Sequence, residues 1–215
     1  MEFFFQQLLN GLAVGGIYAL VALGYTMVYG VLKLINFAHG DLFAIGAYLG
    51  LTLLVSCNLA GILSPLPAVL LVCVMVAMQV FMLRTKTGAA IRAVAIDQGA
   101  AQLMGINVNR VISLVFLIGP GLGGVAGIMV GIYYGQIDFL MGWSYGLKAF
   151  IAAILGGIGN IPGAMIGGLI LGVSEALASA YIAVAWKDVV AFLVLILILI
   201  IRPTGLLGER TADKL

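Results

Sequence analysis

Four stretches of this chain contain no Asp, Glu, Lys or Arg: residues 3–32, 42–83, 111–137 and 149–174. A helix of about 20 apolar residues crosses the hydrocarbon of a bilayer, where every backbone N–H and C=O has to be paired inside the structure. Each run therefore holds at least one candidate span, and 42–83 is long enough for two. A soluble core could bury one such helix, but not all of them. With 64% hydrophobic residues, 8% charged and a mean hydropathy of +1.24, composition lies far above the apolar share of soluble domains. The expected fold is all-α, a polytopic transmembrane helical bundle of about six or seven membrane segments, forming a single domain over 1–215.

Hydropathy places spans at 6–32, 42–57, 65–83, 108–133, 162–181 and 187–202, with a shorter apolar piece at 148–158. The sequence "SPLP" at 64–67 precedes the third span, and "RPTG" at 202–205 stops the last, both suited to proline. "MEFFFQQLLNGL" lacks a basic n-region and a cleavage site, so the first span reads as retained. The basic residues set an orientation. Lys33, Arg84, Lys86, Arg92, Arg110, Arg202, Arg210 and Lys214 fall on one side, and only Lys148 and Lys187 on the other. The positive-inside rule makes the first side cytoplasmic, with the N-terminus outside and the C-terminus inside. That requires an odd number of crossings, reached at seven only if 148–158 counts as one.

Glycine supplies 30 of 215 residues. Gly119, Gly123, Gly127, Gly131 and Gly135 recur every fourth residue, a spacing that draws a seam along one helix face and admits a second backbone. Gly163–Gly167 and Gly168–Gly172 repeat the pattern. Gly121, Gly123 and Ala126 fit a dinucleotide-type G-x-G-x-x-A, but no βαβ unit surrounds them, so the match is set aside.

No constellation for catalysis is apparent: one histidine, no P-loop, and no metal spacing around Cys57 and Cys73, which read as unpaired thiols. No cofactor and no nucleic acid are expected. Glu175 interrupts an apolar run, so it is either a functional group inside the membrane or a carboxylate near the outer interface paired with a cation. In "LINFAHGD", Lys33 and Asp41 bracket the turn after the first span, which places Asn36, His39 and Gly40 at or just within the inner interface. Gly40 would permit a tight backbone there while Asn36 and His39 satisfy freed polar groups. Alternatively, Asn36 and His39 line a substrate path.

The connection 84–107 is too polar to cross. Its alanines favour helix over 88–104, Gly105 suits a stop, and Asn107 can cap the next span. Gly88, Arg92, Ala93 and Asp97 belong to a short surface helix of small residues, suited to docking a soluble partner or simply lying at the interface.

Several of these stretches resemble the permeases of bacterial ABC importers for branched-chain amino acids, specifically the first of two related membrane subunits. They are "INFAHGDLFAIGAY" (35–48), "TKTGAAIRAVAIDQGAAQLMGINVNRV" (85–111), "AAILGGIGNIPGAMIGGLILG" (152–172), "AWKDVVAF" (185–192) and "RPTGLLG" (202–208). The resemblance implies a multi-pass protein of the bacterial inner membrane, paired with a sister permease, two cytoplasmic ATPases and a periplasmic substrate-binding protein. It makes 88–104 the coupling helix received by an ATPase. It also implies that roughly a quarter of the usual chain is missing, with the joint near 70–84. An energy-independent channel or a secondary carrier for urea or an amide is the competing reading, and a membrane enzyme a more distant one.

Overall fold

The computed structural model describes residues 2–56 and 66–208. Nine α-helices follow one another, with no strand among the described residues: α1 (Glu2–Leu32), α2 (His39–Ser56), α3 (Leu66–Arg84), α4 (Lys86–Ile96), α5 (Gln98–Leu103), α6 (Val108–Tyr134), α7 (Met141–Gly156), α8 (Ile161–Tyr181) and α9 (Lys187–Ile201). Helices α1, α6 and α8, together with α9 and the short 3₁₀ turn before it, are long and apolar enough to cross a membrane. Helices α2, α3 and α7 are further apolar helices of the same bundle. The short 148–158 piece is the second half of α7, which begins earlier, at Met141. Gly142, Ser144, Gly146 and Lys148 dilute its apolar signal without breaking the helix.

α1 is the hub. It is apolar all round, and Gly15 to Val28 are buried without interruption. Glycine decides what packs on it. A Cβ on Gly15 would lie 2.9 Å from the Cα of Leu169, and one on Gly172 would lie against the backbone of Gly15. Gly11, Gly15 and Ala19 thus face Gly168 and Gly172 of α8 in close antiparallel contact. The α6 seam serves two partners. Gly119 meets Gly24 and Val28 of α1, while Gly127 and Gly131 meet Phe43, Ala47 and Leu51 of α2. Gly135 instead caps α6 in the left-handed region at φ 62°. Gly163 and Gly167 receive Gly156 and Ala152 of α7.

These pairings fix which ends lie together. α8 and α6 run antiparallel to α1, and α2 runs parallel to α6. The exit of α1, the 84–107 connection, the α7–α8 turn and the chain after α9 therefore share one end of the bundle. Gln98 Nε2 donates to Val31 O at the foot of α1 (2.9 Å), and Leu206 N and Leu207 N donate to Leu155 O and Gly156 O. Of the eight basic residues in the described chain, Lys33, Arg84, Lys86, Arg92, Arg110 and Arg202 lie at this end.

Candidate functional site

Three places among the described residues gather several polar groups in this apolar bundle. The turn after α1 is the first. Lys33 is its left-handed residue at φ 56°, and its N–H donates to Tyr29 O (2.8 Å). Asn36 Oδ1 accepts from Ala38 N (3.2 Å) and Asn36 O from His39 N (3.2 Å), so Asn36 does satisfy the freed backbone. Gly40 plays a different part from the turn-former expected. It lies inside α2, and a Cβ there would run into Gly142 O of α7, so it permits a helix crossing. His39 is only 1% exposed and packs against Gly24, Gly123 and the Tyr25 ring, whose centroid is 4.5 Å away. Gly24 is eight residues short of the end of α1, about 12 Å along the axis. The turn therefore climbs back into the bundle before α2 begins, rather than resting at the interface.

The connection at the basic end is the second place. The single helix expected over 88–104 is two, broken at Asp97, whose extended backbone (φ −151°, ψ 113°) ends α4 and whose carboxylate accepts from Ala100 N to start α5. Thr85 caps α4 through Gly88 N, and Asn107 caps α6 through Arg110 N. Gly105, at φ 83°, ends the α5 turn. Gly88 is buried against the carbonyls of Phe81 and Met82, so it joins α4 to α3 and presents nothing outward. Arg92 and Asp97 are exposed and Ala93 half-buried. Around them Ile96, Leu103 and Met104 stand 87%, 90% and 83% exposed, an apolar patch on a polar connection.

A cleft of about 320 Å³ at the opposite end is the third place. It is walled by the start of α1 (Gln7, Asn10), the end of α6 (Tyr133, Tyr134), α7 (Ser144, Tyr145, Lys148), α8 (Glu175, Ser179) and Lys187. Glu175 is 3% exposed. Its carboxylate accepts from Tyr18 Oη (2.9 Å) and from Lys148 Nζ, which lies 3.1 Å from Oε1 and 3.2 Å from Oε2. Lys148 also reaches Asp188 Oδ1 at 2.9 Å. One ammonium thus serves two carboxylates, in a cleft that Tyr134 and Tyr145 also line. Glu175 is thus a buried carboxylate of α8 paired with a cation. Lys148, the first residue of the short 148–158 piece in hydropathy, sits mid-helix in α7. Its signal was legible as a lysine in "SYGLKAFIAA", since a charge amid helical apolar residues marks a paired or functional group.

The family model described as the branched-chain amino acid transport system / permease component matches residues 7–71 and 58–199. The chain belongs to this permease family. The permease is 35% identical over 301 aligned residues to the high-affinity branched-chain amino acid transport system permease protein LivH of Salmonella typhimurium, covering 99% of this chain and 98% of the relative. It is equally similar to BraD of Pseudomonas aeruginosa, 35% over 300 residues with 98% of each covered, and 34% identical over 301 residues to LivH of Escherichia coli. No solved structure matches. An alignment of 301 residues against a permease of 215 leaves at least 86 positions of the relative without a counterpart. The two matched stretches overlap over 58–71, next to the 70–84 joint expected.

Proposed function

We propose that this permease is a pore subunit of an ATP-driven importer for branched-chain amino acids in the bacterial inner membrane. The observation that carries the reading is the similarity to LivH and BraD from one end of the chain to the other. In this reading seven helices cross (α1, α2, α3, α6, α7, α8 and α9), and the basic end faces the cytoplasm under the positive-inside rule. The chain catalyses no reaction; ATP is hydrolysed by two partner ATPases, while a sister permease completes the pore and a periplasmic binding protein delivers substrate. The α4–α5 corner is the docking element. Ile96, Leu103 and Met104 offer apolar contact, with Arg92 and Asp97 at its rim, an arrangement typical of interfaces. When ATP closes the ATPases, the corner transmits the motion through Gln98 and Val31 to α1, and the pore opens outward.

Co-expression of the tagged permease with its ATPases tests this. Leu103→Glu with Met104→Glu puts charge into an apolar contact, and Arg92→Glu reverses a rim charge. Each is expected to cost about 1–3 kcal/mol, a roughly 5- to 150-fold weaker complex that a pull-down registers. Equal, substantial recovery of wild type and variants would remove docking from this corner. Absence of ATPase from the wild-type complex would sink the importer reading.

A further inference from the structure

The cleft at the non-basic end holds more charge than packing requires. A buried ion pair is seldom a gain in stability over apolar side chains of the same size, and ionisable groups within a membrane bundle are costly. Here Glu175, Lys148, Lys187 and Asp188 gather at one opening, two cations and two carboxylates, among Tyr18, Tyr145 and Ser179. Their charges sum to zero. The buried carboxylate is held by Tyr18 and Lys148, yet Asp188, which shares the lysine, is 71% exposed in its side chain. The lysine is therefore clamped firmly on one side and loosely on the other.

We propose that this cleft is a recognition site for the α-ammonium and α-carboxylate of a small zwitterion on its way into the pore, a reading that rests on the transport function proposed above. The ligand's carboxylate takes the place of Asp188 on Lys148, with Lys187 beside it. Its ammonium meets Asp188, freed by that exchange, and the tyrosine hydroxyls. A net-neutral quartet with separated signs matches a zwitterion; a ligand of one sign would leave half of it uncompensated. The apolar part of the wall, Val14, Gly172 and Ala176 with the tyrosine rings, receives an aliphatic side chain, and about 320 Å³ lies at the small end of ligand pockets. Charge-assisted bonds of this kind are strong where water is scarce.

The test uses the full complex in liposomes, with its sister permease, ATPases and binding protein, and reads labelled leucine taken up per ATP hydrolysed. Lys148→Gln with Glu175→Gln keeps a hydrogen-bonding pair of similar size but removes both charges. Asp188→Asn removes one charge from a side chain that is 71% exposed. The double variant is expected to lower uptake per ATP about tenfold and Asp188→Asn several-fold, as loss of charged contacts predicts. A merely structural pair would lower uptake and hydrolysis together and leave their ratio unchanged. An unchanged ratio in Asp188→Asn and the double variant, with wild type transporting, overturns the site alone. Wild type that moves no leucine while hydrolysing ATP overturns the transport reading, and the site falls with it.

Discussion

At the scale of single residues, the bundle is a set of decisions about where a Cβ fits. Gly127 and Gly121 lie less than two turns apart on α6 and differ completely. A Cβ on Gly127 would meet Phe43 O and lie 2.8 Å from Ala47 N, both rigid backbone, whereas one on Gly121 meets nothing within 4 Å. Gly127→Leu should therefore force α2 off α6 at a cost of at least about 1–3 kcal/mol. Gly121→Ala should be neutral or gain roughly 0.5–1 kcal/mol from helix propensity. Thermal unfolding in detergent checks the pair; equal melting temperatures for Gly127→Leu and wild type would mean that α2 does not touch this seam. Gly24 belongs with Gly127, because the His39 ring fills the space its side chain would need. His39 is thus part of the packing of three helices, and its burial speaks for structure more than for a water-filled path.

At the scale of elements, Asp97 shows how much one side chain can do. It is the C-cap of α4 and the N-cap of α5, so it turns a continuous alanine-rich stretch into a corner. Asp97→Ala should lose the bond to Ala100 N, about 0.5–2 kcal/mol of local stability. Hydrogen exchange is the measurement, with amides of 98–103 expected to exchange faster while α6 stays protected; unchanged exchange in α5 would show that the cap is not what holds it. The same corner marks the limit of what sequence reveals. Long apolar periods located α1, α6, α8 and α9 closely, because length and lack of charge suffice there. The caps at Asn107 and the stop at Gly105 were legible because their chemistry is local. The break at Asp97 was not, since helix-favouring alanines flank it on both sides. Neither was the depth of α2, which depends on Gly24 and Gly123 meeting His39 across three helices. Lys148 read as the first residue of the short 148–158 piece, because the polar start of α7 hides the rest of the helix that carries it.

At the scale of the whole molecule, the unresolved choice in hydropathy was parity: six crossings or seven, with the short piece at 148–158 deciding. The helix pairings settle which ends share a side without reference to charge, because each follows from a glycine on one helix and backbone on another. α1 against α8, α6 against α1 and α6 beside α2 give alternating directions, and α7 lies antiparallel to α8 through Gly156 and Gly163. Charge then chooses the side. Six basic residues at one end against Lys148 and Lys187 at the other is the asymmetry on which the proposed cytoplasmic assignment rests. Single cysteines in a background lacking Cys57 and Cys73 test the assignment. Gln98→Cys sits on α5 at the basic end, and Phe139→Cys in the 84%-exposed position between α6 and α7 at the other. A membrane-impermeant maleimide added to intact cells should label 139 and leave 98 untouched until the membrane is opened. Labelling of both from outside would mean that the bundle is crossed an even number of times between α4 and α7. Labelling of 98 alone would invert the protein, move the α4–α5 corner away from any ATPase and turn the charged cleft to the cytoplasm.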